Sequence, residues 1–146
     1  MDNSIAGIYM LILMESTLEE AVAFYQKIGF KQLFHLKDRW AELAAGNVRI
    51  GLCPTSQPPM DMRTGIVLEV SDLKTFYQTM KEQITFLQEP TEAVHGIMVS
   101  IKDPGGNIID LYQPTPEKVA KLVKEKVKED KDDCCSDKDG QSAACC

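Results

Sequence analysis

The chain has 146 residues, enough for one domain of modal size with roughly thirty residues to spare. A hydrophobic fraction of 44% excludes general disorder, and no apolar run reaches the ~18 residues that a membrane-spanning helix needs. A formal net charge of −6, with both signs interspersed, leaves no basic surface to neutralise phosphates, so nucleic acid is not an expected partner.

In chain order, residues 5–14 are apolar but have no leading Lys or Arg and no small-residue cleavage pattern. This argues against a secretory signal and predicts a cytosolic protein. The run at residues 11–13 reads as a strand. In the LEEAVAFYQKIGF stretch that follows, Leu18, Ala21, Val22, Tyr25 and Ile28 recur at helical spacing. Thr17 with Glu20 forms a capping-box pattern, and Gly29 suits the position just past the helix end. Three strands are then expected, KQLFHL, RWAELAA and VRIGLC, the last two joined by Gly46-Asn47. A proline-rich stretch at residues 54–59 breaks the pattern.

The order then repeats. GIVLEV reads as a strand, SDLKTFYQTMKEQ as a helix opened by Asp72, and ITFLQE, GIMVSIK and NIIDLYQ as strands, the last two joined by the turn Asp103-Pro104-Gly105-Gly106. The segment LILMESTL lies over IVLEVSDL at constant offset, and GNVRIGL lies over GNIIDL with one residue inserted. An internal duplication of about fifty residues organises the chain. Its fold class is α+β: two βαβββ modules, at about residues 8–53 and 64–113, within a domain spanning 1–114.

Alternation sorts the strand faces. Leu11, Leu13, Val48, Ile50, Leu52, Ile66, Leu68, Val70, Ile109 and Leu111 form an apolar set expected under the helices. The opposite set contains Met10, Ile12, Met14, Arg49, Gly51, Cys53, Gly65, Val67, Glu69, Ile108, Asp110 and Tyr112, a mixed face that suits an open cleft. Arg49 could hold a carboxylate or phosphate there, while Glu69 and Asp110 accept from amines; an Asp110–Arg49 bridge is the plainer alternative. Trp40, the only tryptophan, reads either as a stacking surface for a flat ligand or as packing at a sheet edge. Tyr112 completes the ligand-binding candidates. The two histidines, His35 and His95, belong to different modules and either meet across the cleft or sit at the surface. Cys53 reads as a small buried hydrophobe.

From Thr115 the composition changes. Residues 115–130 read as an amphipathic helix with Pro116 in its first turn and a stripe of Val119, Leu122, Val123 and Val127. Residues 131–146 carry no apolar pattern and are expected to be disordered. Their cysteines, Cys134, Cys135, Cys145 and Cys146, form two adjacent pairs that could chelate a soft metal ion, serve as a lipid-anchor site, or be inert.

The duplicated unit, with a Phe-Tyr pair in each helix and G-N near the end of each module, resembles the vicinal oxygen chelate superfamily of glyoxalases, bleomycin-resistance proteins and extradiol dioxygenases. LEEAVAFYQKIGF and KDPGGNIIDLYQP carry most of the likeness. The resemblance implies a small-molecule cleft and a homodimer. It further implies a divalent metal held at positions that here are Met10, Gly51, Gly65 and Asp110, of which only Asp110 is an oxygen ligand. The expectation is therefore a binding protein without a cleft metal, its cofactor otherwise unknown and a soft metal possible on the tail. A metal-dependent lyase or isomerase with a displaced site is the alternative.

Overall fold

Among the described residues the capping and alternation signals resolve into twelve elements. They run β1 (Leu11–Glu15), α1 (Leu18–Lys27), β2 (Lys31–Leu36), β3 (Trp40–Ala45), β4 (Val48–Pro54), β5 (Met62–Glu69), α2 (Leu73–Met80), β6 (Thr85–Phe86), β7 (Thr91–Ala93), β8 (Gly96–Lys102), β9 (Asn107–Pro114) and α3 (Pro116–Cys134). The structure is a computed structural model and describes residues 3–134. Its third helix passes residue 130, the expected end of that helix, and runs to Cys134; Cys135, Cys145 and Cys146, and the disorder expected around them, lie outside the described residues.

The helix ends follow from side-chain chemistry. Asp72 accepts from the Thr75 backbone N–H at 3.1 Å and from its hydroxyl at 2.7 Å, so α2 has a side-chain cap. At α1 the capping-box partners bond each other instead, Thr17 Oγ1 donating to Glu20 Oε2 at 3.3 Å. One expected strand differs. ITFLQE yields only Thr85–Phe86, and pairing with β8 resumes at Thr91–Ala93. Pro90, lacking an N–H, lies between the two pieces, where it cannot donate to a ladder.

Each module makes its own sheet. The first has the order β1-β4-β3-β2 and the second β5-β9-β8-β6, with β7 also on β8. The duplication is visible in register: β1 runs parallel to β4 with Leu13 opposite Leu52, and β5 parallel to β9 with Leu68 opposite Leu111. Helix α1 packs on β2, β3 and β4, and α2 on β9. All ten residues of the predicted apolar set lie in or against the core, with Leu13, Ile50, Leu52, Ile109 and Leu111 fully within it. Tyr25, Leu43, Leu73 and Ile101 add the largest buried side chains.

A polar seam joins the modules. Asp103, in the turn before β9, accepts from Tyr25 Oη at 2.7 Å, from the N–H groups of Gly105 and Asn107 at 2.9 Å, and from Asn107 Nδ2 at 3.1 Å. Asn107 Nδ2 also reaches Met14 O at 3.0 Å and Glu15 Oε1 at 3.2 Å. Glu15 is 0% exposed. Burial, with the neighbouring Asp103 carboxylate, pushes its carboxyl up to about 10. Gly105 sits against this carboxyl, where a Cβ would collide with Glu15 Oε2.

Candidate functional site

The faces turned away from the helices carry the residues expected to line a cleft. On the first sheet, β1 contributes Ile12 and Met14, β4 contributes Arg49, Gly51 and Cys53, and β3 contributes Trp40 and Glu42. Register sets Phe34 opposite Glu42 and Leu36 opposite Trp40, adding both to this face. The result is an open apolar wall: Ile12 is 58% exposed, Phe34 49% and Leu36 47%. The second sheet presents Val67, Glu69, Asp110, Tyr112 and Ser100, with Asp110 between Val67 and Ser100. A bulge between Arg63 and Val67 interrupts its edge, and Thr64 Oγ1 fills it by donating to Ile108 O at 2.8 Å and accepting from Ile66 N at 3.1 Å.

Two polar clusters result, one on each sheet. Trp40 Nε1 donates to Glu42 Oε1 at 3.1 Å, and Arg49 Nη1 lies 3.7 Å from Glu42 Oε2. The same Nη1 donates to Tyr9 Oη at 3.0 Å, with the guanidinium carbon 5.2 Å from the Tyr9 ring centre. On the other sheet, Ser100 Oγ donates to Asp110 Oδ1 at 2.5 Å, and Arg63 Nη1 lies 3.9 Å from it. Arg49 and Trp40 are thus brought together through Glu42, whereas Arg49 and Asp110 each have partners on their own sheet. Glu69, opposite Tyr112 in register, lines a depression of about 440 Å³ with Phe30, Val48 and Phe76. That depression includes none of Arg49, Asp110, Trp40 or Tyr112. Tyr112 Oη donates to His95 O at 2.7 Å.

The histidines do not meet. His35 points to the helix side, opposite Ala41, and bonds Glu19 at 3.0 Å; His95 Nδ1 lies 3.0 Å from Tyr112 Oη. Glu19 also accepts from the Asp38 N–H at 3.0 Å, which with His35 holds its carboxyl below the usual range. Cys53 is only partly buried and has a free thiol.

Glu42, Ser100 and Arg63 do not stand out in the sequence. Period-two spacing from Trp40 could have found Glu42; the partners of Asp110 depend on strand pairing that no local pattern encodes.

The four positions at which the resemblance implies a metal do not suit one. A Cβ on Gly51 would lie 2.6 Å from Trp40 Cη2 and 2.7 Å from Met10 Sδ, so the indole and thioether already fill the room a ligating side chain would need. Gly65 offers no donor atom, and the Asp110 carboxylate is engaged by Ser100. Among the described residues, no three His, Cys, Asp or Glu side chains converge into a metal-binding group. A divalent ion generally needs about three protein ligands, and this donor set does not supply them.

Residues 7–111 match the model of the Glyoxalase/Bleomycin resistance protein/Dioxygenase superfamily. Among solved structures, TnmS3, an antibiotic binding protein from Streptomyces sp. CB03234, is similar at 24% identity and a TM-score of 0.64, over 78% of this chain and all of that one (100%). A mutant of FosX, a fosfomycin resistance protein from Listeria monocytogenes solved with Mn(II) and a dihydroxypropylphosphonic acid, is similar at 13% identity and a TM-score of 0.67, over 81% and 99%. A superfamily member from Sphaerobacter thermophilus aligns at 23% identity and a TM-score of 0.64, over 75% and 98%. No curated protein matches the sequence. With residues 7–111 matched without interruption and the duplicated βαβββ architecture present, the chain belongs to the Glyoxalase/Bleomycin resistance protein/Dioxygenase superfamily.

Proposed function

We propose that this protein binds a small organic molecule in its cleft without a resident divalent metal and without catalysing a reaction on it. The donor set carries this reading: of Met10, Gly51, Gly65 and Asp110, only Asp110 has an oxygen ligand. What remains on the cleft faces favours binding. Exposed aliphatic and aromatic side chains supply about 25 cal/mol for each Å² of apolar surface a ligand covers. Arg49, Glu69 and Asp110 add directional polar groups, and Trp40 and Tyr112 flat surfaces, giving the mostly apolar, sparsely polar lining of small-molecule sites.

The same exposure supports pairing. Ile12, Met14, Phe34, Leu36 and Val67 are all exposed, and a second copy of this chain would cover part of that apolar surface as a homodimer. We place the protein in the cytosol; among the described residues no helix is long and apolar enough to cross a membrane. The cysteine pairs at Cys134, Cys135, Cys145 and Cys146 form a soft-metal appendage, supported by the closeness of these four thiols in the sequence.

The reading is tested by assaying isomerisation of a glutathione hemithioacetal with and without added Mn(II), Ni(II) or Zn(II). The expected result is no turnover above the buffer rate. Metal-stimulated turnover that disappears in Asp110→Ala would establish a metal-dependent enzyme instead.

A further inference from the structure

The place where the metal site fails to form is occupied by a built surface. Trp40 opens β3, and its ring atoms Cη2 and Cζ2 approach Gly51 so closely that a Cβ there would lie within 2.7 Å of both. Glycine at position 51 lets the indole lie against bare backbone, with the Met10 thioether beside it. The ring is held by a line of contacts: Trp40 Nε1 to Glu42 at 3.1 Å, Glu42 to Arg49 at 3.7 Å, and Arg49 to Tyr9 at 3.0 Å. These contacts tether both flexible side chains in the line, so their ordering is largely complete before a ligand arrives. On the same face Ile12 lies opposite Gly51, Leu36 opposite Trp40 and Phe34 opposite Glu42, each about half exposed. The contacts of Arg49 run through Nη1, which leaves its other guanidinium donors for a ligand.

We propose that the Trp40 indole, seated on Gly51, is a stacking platform, and that the cleft takes a flat aromatic ring system bearing a hydrogen-bond acceptor on its rim, which the Arg49 guanidinium receives. This rests on the metal-free binding reading and names the ligand class for that site. A flat ring covers the indole face completely, whereas a puckered ring of equal size touches it at fewer atoms; offset or edge-to-face aromatic pairing adds stabilisation beyond the area buried. Glu42 and Arg49 act as positioning residues for the indole, and Arg49 also contacts ligand.

The test uses full-length protein and two neutral compounds with one carbon skeleton and one carboxamide, 2-naphthamide and decahydro-2-naphthamide, of which only the first has flat aromatic rings. As the only tryptophan is Trp40, its emission reports binding directly. Calorimetry gives affinities for variants confirmed as folded by circular dichroism. The expected result is that 2-naphthamide changes Trp40 emission and binds about tenfold more tightly than its saturated counterpart. Trp40→Phe should keep that preference and Trp40→Leu abolish it. Gly51→Ala, which displaces the ring without removing it, should weaken 2-naphthamide to a similar degree. Equal affinity for the two compounds, or an unchanged preference in Trp40→Leu, would overturn the aromatic class while leaving the binding reading in place. Binding of neither compound also contradicts the proposal. One divalent metal per chain, lost in Asp110→Ala, would instead bring down the underlying reading.

Discussion

Glu15 shows how one residue can depart from its place in a repeat. By the internal duplication it lies over Val70, an aliphatic position, yet it is a carboxyl sealed between two modules beside Asp103. Its pKa of about 10 stands above the ordinary carboxyl value of 4.5, so the folded state holds a proton that the unfolded chain releases. This stabilisation is complete below about pH 4.5 and declines as pH rises towards 10. Equilibrium urea unfolding across that range should show a contribution falling by up to about 1.4 kcal/mol per pH unit. Glu15→Gln, which keeps the shape and removes the proton, should lose that slope and gain on the wild type as pH rises; parallel profiles for the two proteins would contradict the assignment. None of this was legible from sequence, where Glu15 follows an apolar run and looks like a solvated strand end. Its burial comes from Asn107, 92 residues away, and from Gly105 closing over it.

Elements were more legible than their partners. Helix boundaries followed from Asp72 and Gly29, and strand faces from alternation, because both are local. Residues 84–89 form only the two-residue strand Thr85–Phe86, and Pro90 directly after them separates it from the second short piece on β8. Register was not readable: the bulges between Gln32 and Phe34 and between Arg63 and Val67 shift pairing, and neither segment advertises the shift. The candidate site was readable in the same proportion. Arg49, Glu69, Asp110 and Tyr112 share the predicted alternation face, but Arg49 and Asp110 fall in separate polar clusters, Glu69 in a depression away from both and Tyr112 against His95, because their partners depend on which strands meet. Two predictions belong here. Leu43 in β3 is 0% exposed, and Leu43→Ala should cost about 2–5 kcal/mol in denaturant unfolding. By contrast, α3 keeps Val119, Val123 and Val127 exposed and is tied near its start by Lys118 Nζ to Glu92 at 3.3 Å. Its amides should therefore exchange with solvent well before those of β8 and β9.

At the scale of the whole molecule, duplication produces two sheets that bury one face under helices and leave the other open. Sedimentation equilibrium should return twice the chain mass, as expected if a second copy covers the open faces; a monomer at all concentrations would remove the dimer from the account. The same architecture carries a metal in a structural relative, FosX solved with Mn(II), so the fold alone does not decide the chemistry. The residues at the floor decide it, and here Trp40, Met10 and two glycines stand where ligands would be needed. The most direct measurement is elemental mass spectrometry of reduced protein, full-length and with Cys134, Cys135, Cys145 and Cys146 all replaced by serine. No stoichiometric Mn, Fe, Co, Ni or Zn is expected in the serine variant, any bound soft metal being confined to the chain that keeps its cysteines. Near one such ion per serine-variant chain, lost on Asp110→Ala, would contradict it.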